Sequence, residues 1–471
     1  MPRITLSLML LLATARTALA DEPPPTPPST PPGSDTKAPP DAAKSSFGGL
    51  VDGRFGLGMV EEDLFVSLNI GTVLRWSKLA GGIQVPLRFR AWDRAPEQGT
   101  VLRKEDWDEV SDYFKLIRFI SWGEPEDWLY ARLGQINGAT FAHGTLIDRY
   151  YNVIDSDHYQ AGIQLHLDLD KGGADVLLDN IAYPSLLGLR GFVRPMRFGE
   201  LPKWTHGFMV GMSLVGDFVA PSTPVLDRTN RRQVSEKGNL VQETTPVTLI
   251  GFDIGWEVLK NDWVALTPFL DVNILANTGG TGMHLGMMAT FQIGSPVRLG
   301  LRAEYRVLRS DFAPSYVNSW YTVERVDFLD GKSKIAYFQD IKDRGLAETR
   351  HGWHASFDLT LFDKVTLTGV LEDYQGPSNA NLMIRLLLPY IAGVQLNLYY
   401  AKRNFDSAKE AFDLDRGLLV AEARYKFWGP LYVHALYARE WKLDKDPVSA
   451  DFGRYQTRNV WDVGFGAEFS W

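Results

Sequence analysis

The sequence predicts an antiparallel up-and-down β-barrel of about twenty strands that crosses a membrane. Three features carry this: apolar and polar residues alternate with a period of two, short and long connections succeed each other regularly, and an aromatic final strand lies far behind a secretory leader. A period of two gives a strand two unlike faces. In a membrane barrel the apolar face meets lipid and the polar face lines a lumen.

The leader is MPRITLSLMLLLATARTALA, with one early basic residue (Arg3), an apolar stretch from Ile4 to Ala13 and a small-x-small ending at Ala18-Leu19-Ala20. It reads as a signal peptide over residues 1–20, cleaved before Asp21. The apolar stretch is too short to span a bilayer. Residues 21–46 form a proline-rich arm. DEPPPTPPSTPPGSDTKAPP supports neither helix nor ladder, so an extended disordered tether in the periplasm is expected, with the cell wall as a conceivable contact.

The barrel is expected over residues 47–471. In VRLGLRAEYR, Val297, Leu299, Leu301, Ala303 and Tyr305 share one face, and Arg298, Gly300, Arg302, Glu304 and Arg306 the other. GIQVPLRFR, GMHLGMMATFQI, GVQLNLYY, YQAGIQLHLD and LVAEARYKF divide the same way. Helical periodicity is confined to residues 107–114 and parts of 311–349.

Short joints at 170–173, 259–262, 294–296, 362–364, 389–393 and 428–430 interleave with long ones at 92–112, 138–157, 220–246, 310–351, 403–416 and 444–455. Tight turns on one side of a membrane and loops on the other produce that rhythm. At ~21 residues per strand plus connection the count is twenty, with eighteen as the alternative.

Composition excludes several functions. Without cysteine there are no disulfides, thiolate metal sites or cysteine nucleophiles. A net charge of -8 argues against nucleic acid as a partner. No H-E-x-x-H, P-loop or dinucleotide fingerprint occurs, so no cofactor and no metal are expected.

The chain ends WDVGFGAEFSW, with Phe465, Phe469 and Trp471 on one face. An aromatic last residue resembles the C-terminal signature of Gram-negative outer-membrane barrels, the porins and their relatives, and the resemblance covers essentially the whole mature chain. It implies long extracellular loops, short periplasmic turns, and a setting of outer-membrane lipid and lipopolysaccharide. It also implies recognition of Phe465, Phe469 and Trp471 by the barrel assembly machinery. An aromatic content of 12%, with 14 Trp, suits girdles at two membrane interfaces.

An outward arginine at mid-membrane costs about 2–4 kcal/mol, so the charged positions are expected to face inward. That makes Arg75, Arg88, Arg90, Arg190, Arg194, Arg298, Arg302, Arg306 and Arg424 lumen-lining candidates, together with Asp217, Asp253, Glu257, Asp271, Glu304 and Glu422. Their order suggests basic arcs facing an acidic arc completed by Asn273, and hence a porin-like channel for small polar or charged solutes. The alternative is that these charges pair, giving a closed salt-bridged barrel that serves as receptor or anchor. The 310–351 connection would either constrict the lumen or cover the outside.

An outer-membrane enzyme is a third reading. His354, Ser356 and Asp358 alternate along one strand, yet neighbours two apart stand ~7 Å from each other, too far for a nucleophile-to-base hydrogen bond. The sequence therefore points away from catalysis. In FAHGTLIDRYYNVIDSDHY, residues His143, Asp148, Asp155, Asp157 and His158, with Tyr150 and Tyr151, have the side chains for a metal or sugar but no recognisable spacing, so an ordinary folded loop is expected. Asp406, Asp413 and Asp415 match a calcium loop in composition only.

Overall fold

The computed structural model describes residues 47–471 except 61–62, 94–100, 104–105, 108–109, 153–159, 236–239, 295, 330, 363 and 415–416. The leader and proline-rich arm lie outside this range, as do Asp155, Asp157, His158 and Asp415.

Twenty strands form the wall. The first half comprises β1 (Phe47–Val60), β2 (Asp63–Trp76), β3 (Leu79–Trp92), β4 (Ile117–Trp122), β5 (Leu129–Gly134), β6 (Gly162–Leu169), β7 (Gly172–Leu178), β8 (Leu186–Val193), β9 (Phe208–Pro224) and β10 (Gln242–Trp256). The second half comprises β11 (Val264–Leu275), β12 (Gly280–Ile293), β13 (Val297–Arg309), β14 (Thr349–Leu361), β15 (Val365–Tyr374), β16 (Ala380–Ile391), β17 (Val394–Phe405), β18 (Leu418–Trp428), β19 (Leu431–Leu443) and β20 (Tyr455–Ser470). Leu259–Lys260 prolongs β10 against β11. Each strand pairs antiparallel with the next, and β1 closes on β20 from Leu50↔Ser470 to Met59↔Trp461. Closure leaves no sheet edge, so ladder groups are satisfied without water.

Alternation assigns the faces. Directly opposed residues share a face, and Phe55 opposes Phe465 on the outside, ring centroids 5.4 Å apart, while Asp52 opposes Glu468 on the inside. Ile70, Leu74, Ile83, Met212, Phe252, Leu285 and Phe469 are among the exposed outward residues. At the end carrying the chain termini stand Trp76, Trp122, Trp128, Trp204, Trp263, Trp428 and Trp471, all exposed. An apolar band with an aromatic rim and an even strand count is the architecture of an outer-membrane β-barrel.

The short turns cluster at that same end. Ala392 and Gly393 both have positive φ (51° and 83°) between β16 and β17, the conformation a two-residue hairpin needs. Two register shifts fall at prolines, between Pro221 and Pro224 and between Leu388 and Ile391 around Pro389, because proline offers the ladder no N–H. Two expected lengths change. The 220–246 joint is shorter, since β9 and β10 extend into it, and the turn end holds one longer connection at 194–207 with two 3-10 turns.

Short helices α1 (Val110–Tyr113), α2 (Tyr321–Glu324) and α3 (Lys334–Asp343) fall where helical periodicity was expected. α4 (Ala408–Ala411) was not foreseen; Ser407 caps it by accepting from Glu410 N.

Candidate functional site: a lumen narrowed by two inserted segments

Inside the wall lies an apolar core that strand patterning does not supply. Ile136, Phe141, Leu146, Ile147 and Tyr150 from residues 135–152, and Phe312, Tyr316, Val317, Tyr321, Ile335 and Phe338 from residues 310–348, pack with inward Leu177, Leu186, Val215, Leu249, Leu275 and Leu308. The two segments pair through a short parallel ladder, Val317↔Ile147 and Asn318↔Asp148. Ser315 Oγ donates to Gly144 O at 2.9 Å.

Glycines on the wall make the seat. A Cβ at Gly188 would lie 2.7 Å from Ile147 Cδ1, one at Gly251 2.5 Å from Leu146 Cδ1, and one at Gly255 2.8 Å from His143 Nε2. At contacts under about 3 Å the loop side chain would have to move aside, so these positions on β8 and β10 form a glycine track against which the loop sits in its observed place. At the root of the loop Asn152 accepts from Ile136 N (2.7 Å) and donates to Gln160 O and Asp179 O (both 3.0 Å).

Polar anchors hold the crest of the loop. Asp271 on β11 accepts from Thr145 Oγ1 at 2.7 Å and faces His143 Nδ1 at 2.8 Å, and the His143 ring stacks on Phe269 with centroids 4.2 Å apart. Farther round, Arg302 Nη1 donates to Asp148 at 3.1 Å, Arg149 to Asp358 on β14 at 2.8 Å, and Arg385 on β16 to the Tyr151 hydroxyl at 3.0 Å. The segment therefore leaves the wall at β5 and is tied to it as far round as β16.

The second segment is secured similarly. Tyr321 and Arg325 donate to Asp217 at 2.6 and 3.0 Å. Glu324 accepts from Lys334 and pairs with Arg403 at 3.1 Å. Burial pushes the Glu324 carboxyl up, but Lys334 and Arg403 outweigh it and hold the group below the usual range.

The charges expected to form separate basic and acidic arcs are instead interleaved. Arg190 grips Asp253 bidentately (2.7 and 3.1 Å) and Asp175 at 3.0 Å, and Arg194 grips Asp168 at 2.6 and 2.9 Å. Arg302 and Arg306 fork around Glu304, and Arg306 reaches Glu372 at 2.8 Å. Arg88 pairs with Asp106, Arg90 with Asp63 at 3.1 Å, Arg424 with Glu422 at 3.0 Å, and Glu257 with Lys260 at 3.5 Å. A desolvated charge needs a partner, and the inserted segments desolvate one side of the lumen, so pairing prevails there.

The two sides differ in wetness. Against the inserted segments the side chains of Arg190, Glu304 and Arg306 are 0% exposed. Across the lumen Arg54 is 28%, Glu422 19% and Lys426 29% exposed. Arg75, Arg298 and Arg385 make no carboxylate pair among the described residues, and all are at least partly exposed.

His354 Nδ1 faces Glu372 at 3.4 Å, while Asp358 is engaged by Arg149 and by Thr368 Oγ1 (2.7 Å). Ser356 opposes Arg302 and Val370. These three residues do not meet as nucleophile, base and orienter. Asp406 accepts from Ser378 in a loop, and no three-residue metal cluster occurs among the described residues.

Sequence reading missed Thr145, Arg149, Glu324, Arg325, Glu372, Arg385 and Arg403 as parts of the lumen, and placed His143 and Asp148 in an ordinary loop. The available signal was apolar: Leu146, Ile147 and Tyr150 are too greasy for a solvated loop.

No family model matches the sequence, and no curated protein matches it significantly. Among solved structures, the outer membrane protein OpdK of Pseudomonas aeruginosa aligns at 10% identity over 90% of this chain and 99% of its own, TM-score 0.32. Acinetobacter baumannii OccAB2 aligns at 9% identity over 91% and 98%, TM-score 0.31. The P. aeruginosa ferric enterobactin receptor PfeA aligns at 11% identity over 91% and 82%, TM-score 0.37. The barrel itself is established by this chain's own strand register.

Proposed function

We propose that the protein is an outer-membrane channel through which small polar solutes diffuse along the wet side of a constricted lumen. The observation that carries this reading is the asymmetry of the interior. Residues 135–152 and 310–348 fill the side lined by β7–β13 and reach on to β14, β16 and β17, while Asp52, Arg54, Glu422, Arg424, Lys426 and Glu468 remain partly exposed on the other side. A ring of paired charges offers a solute alternating donors and acceptors, which replace its hydration during passage.

Paired charges contribute little net field, so unpaired ones set selectivity. Arg75, Arg298 and Arg385 are all basic, which favours anions over cations of the same size. In this reading the long connections face outward from the cell, the turn end faces the periplasm, and no covalent chemistry takes place. Current through single channels, with the reversal potential read in a salt gradient, tests both permeation and its sign.

The second reading, a closed barrel acting as receptor or anchor, is favoured by the apolar packing of both inserted segments. It predicts a folded protein that carries no steady current.

A further inference from the structure

Among the described residues five histidines face the lumen, and each has a carboxylate oxygen close by: His143 with Asp271 at 2.8 Å, His166 with Asp175 at 2.5 Å, His284 with Glu304 at 3.4 Å, His354 with Glu372 at 3.4 Å, and His434 with Asp462 at 2.7 Å. Two of them, His284 and His354, occupy one belt behind the inserted loop. Asp271 opposes His284, His284 opposes Arg306, Glu304 opposes His354, and His354 opposes Glu372, so the belt runs across β11 to β15. His143, from the loop itself, completes it on Asp271.

We propose that this belt is a pH-sensitive latch: protonation of His284 and His354 in mildly acidic medium disturbs the Asp271 seat of His143, unseats residues 135–152 and widens the passage. The proposal rests on the channel reading for its consequence, but the latch is a property of the loop. The reason is a shortage of acceptors. His143 Nε2, His284 Nε2 and His354 Nε2 are buried without a hydrogen-bond partner, and so are Arg302 Nη2 and Arg306 Nη2. An imidazolium carries N–H on both nitrogens. Each added proton therefore places a further charged donor where no acceptor stands, and water supplies the missing acceptors only if the loop lifts.

The groups facing the belt are accounted for on every side. His143 meets Asp271 and Phe269 of β11 and the Gly255 backbone of β10. His284 meets Asp271, Glu304 and Arg306. His354 meets Glu304 and Glu372, with Arg302 and Arg306 beyond them. Glu372 is further held by Arg306, by Asn381 Nδ2 at 2.9 Å and by the Tyr374 hydroxyl at 2.9 Å. From the lumen side Asp148 and Arg149 close over Arg302 and Asp358, and Glu324 and Lys334 of the second segment stand beyond Glu372. The carboxylates nearest the histidines are thus already engaged by arginine, asparagine, tyrosine or threonine, which leaves few lone pairs for new donors.

The chain has no cysteine, so one introduced thiol reports on the loop alone. Leu146→Cys places it on the buried seat opposite Gly251. The purified, folded barrel is labelled with a small water-soluble thiol reagent at about pH 7.5 and about pH 5, bracketing the histidine range. The same is done in a background carrying His284→Gln and His354→Gln, and in one carrying His354→Gln alone in case the double variant folds poorly. The ratio of labelling between backgrounds at each pH removes the reagent's own pH dependence. Expected is a rise in the wild-type ratio on acidification, bounded by about tenfold for each pKa unit by which a histidine differs between seated and lifted loop, with a parallel rise in conductance. A ratio that stays constant with pH overturns the latch. An identical acid response in the substituted backgrounds also overturns it, assigning the response to carboxylates. A labelling switch in a barrel that passes no current at either pH upholds the latch and refutes the channel reading.

Discussion

Replacing Gly251 by leucine tests whether residues 135–152 narrow the passage. The Cβ alone would lie 2.5 Å from Leu146 Cδ1 and 2.7 Å from Asn273 Oδ1, and the remaining leucine carbons would enter space held by the loop. Overpacking of this kind costs about 1–3 kcal/mol. If the wall is the stiffer partner, that energy appears as a loss of seating, and the ratio of seated to lifted loop falls about 5- to 150-fold. Gly251 faces inward beside Asp253, so the lipid face of β10 is untouched. The assay is single-channel recording of Gly251→Leu beside the wild type, with heat-modifiable migration as the control for folding. Larger or flickering conductance is expected. A normally folded variant with wild-type conductance and noise would refute the claim that this loop narrows the passage.

Three other outcomes follow from the same geometry. Trp471→Asp removes an exposed aromatic from the terminal strand, where Trp471 N and O exchange hydrogen bonds with Gly49 at 3.1 and 3.0 Å; assembled, heat-modifiable protein should fall sharply, and wild-type levels would contradict a lipid-facing assembly signal. Arg298→Gln with Arg385→Gln should shift the reversal potential toward cations, whereas Arg306→Gln, which takes one of two arginines from Glu304 and the arginine from Glu372, should lower the unfolding midpoint, with the cost of about 3–5 kcal/mol for breaking a buried pair as the upper bound. Glu324, held below its usual 4.5 by Lys334 and Arg403, stabilises the second segment fully above that value and progressively less as pH falls through the depressed one. The midpoint difference between wild type and Glu324→Gln should therefore be constant near neutrality and shrink in acid, and a difference independent of pH would remove Glu324 from the seat.

The wall was legible in the sequence because each strand there obeys one rule. Val297 to Arg306 alternate without a fault, and register with β12 and β14 places Arg302, Glu304 and Arg306 on one inward row. Lengths of connections gave the strand number for the same reason, since hairpins at the turn end have little freedom. The interior was not legible. Whether Arg190 faces water or two aspartates depends on register between β7, β8 and β10, and on the loop that seals them, neither of which a period of two records. Nothing in the sequence singles out the glycines at 188, 251 and 255. Their meaning appears only when Ile147, Leu146 and His143 are seen against them. The loop tip, expected to be an ordinary folded loop, was misplaced because its apolar residues, Leu146 and Ile147, are buried by a wall more than a hundred residues away in Leu249 and Leu275.

The most direct test of the central claim is the current through single wild-type channels in a planar bilayer at neutral pH, with a salt gradient across the membrane. The structure predicts steady open-channel steps, reversing at a potential that reports anion preference. A correctly folded barrel that carries no current would contradict it, and would mean that the two inserted segments close the lumen rather than narrow it.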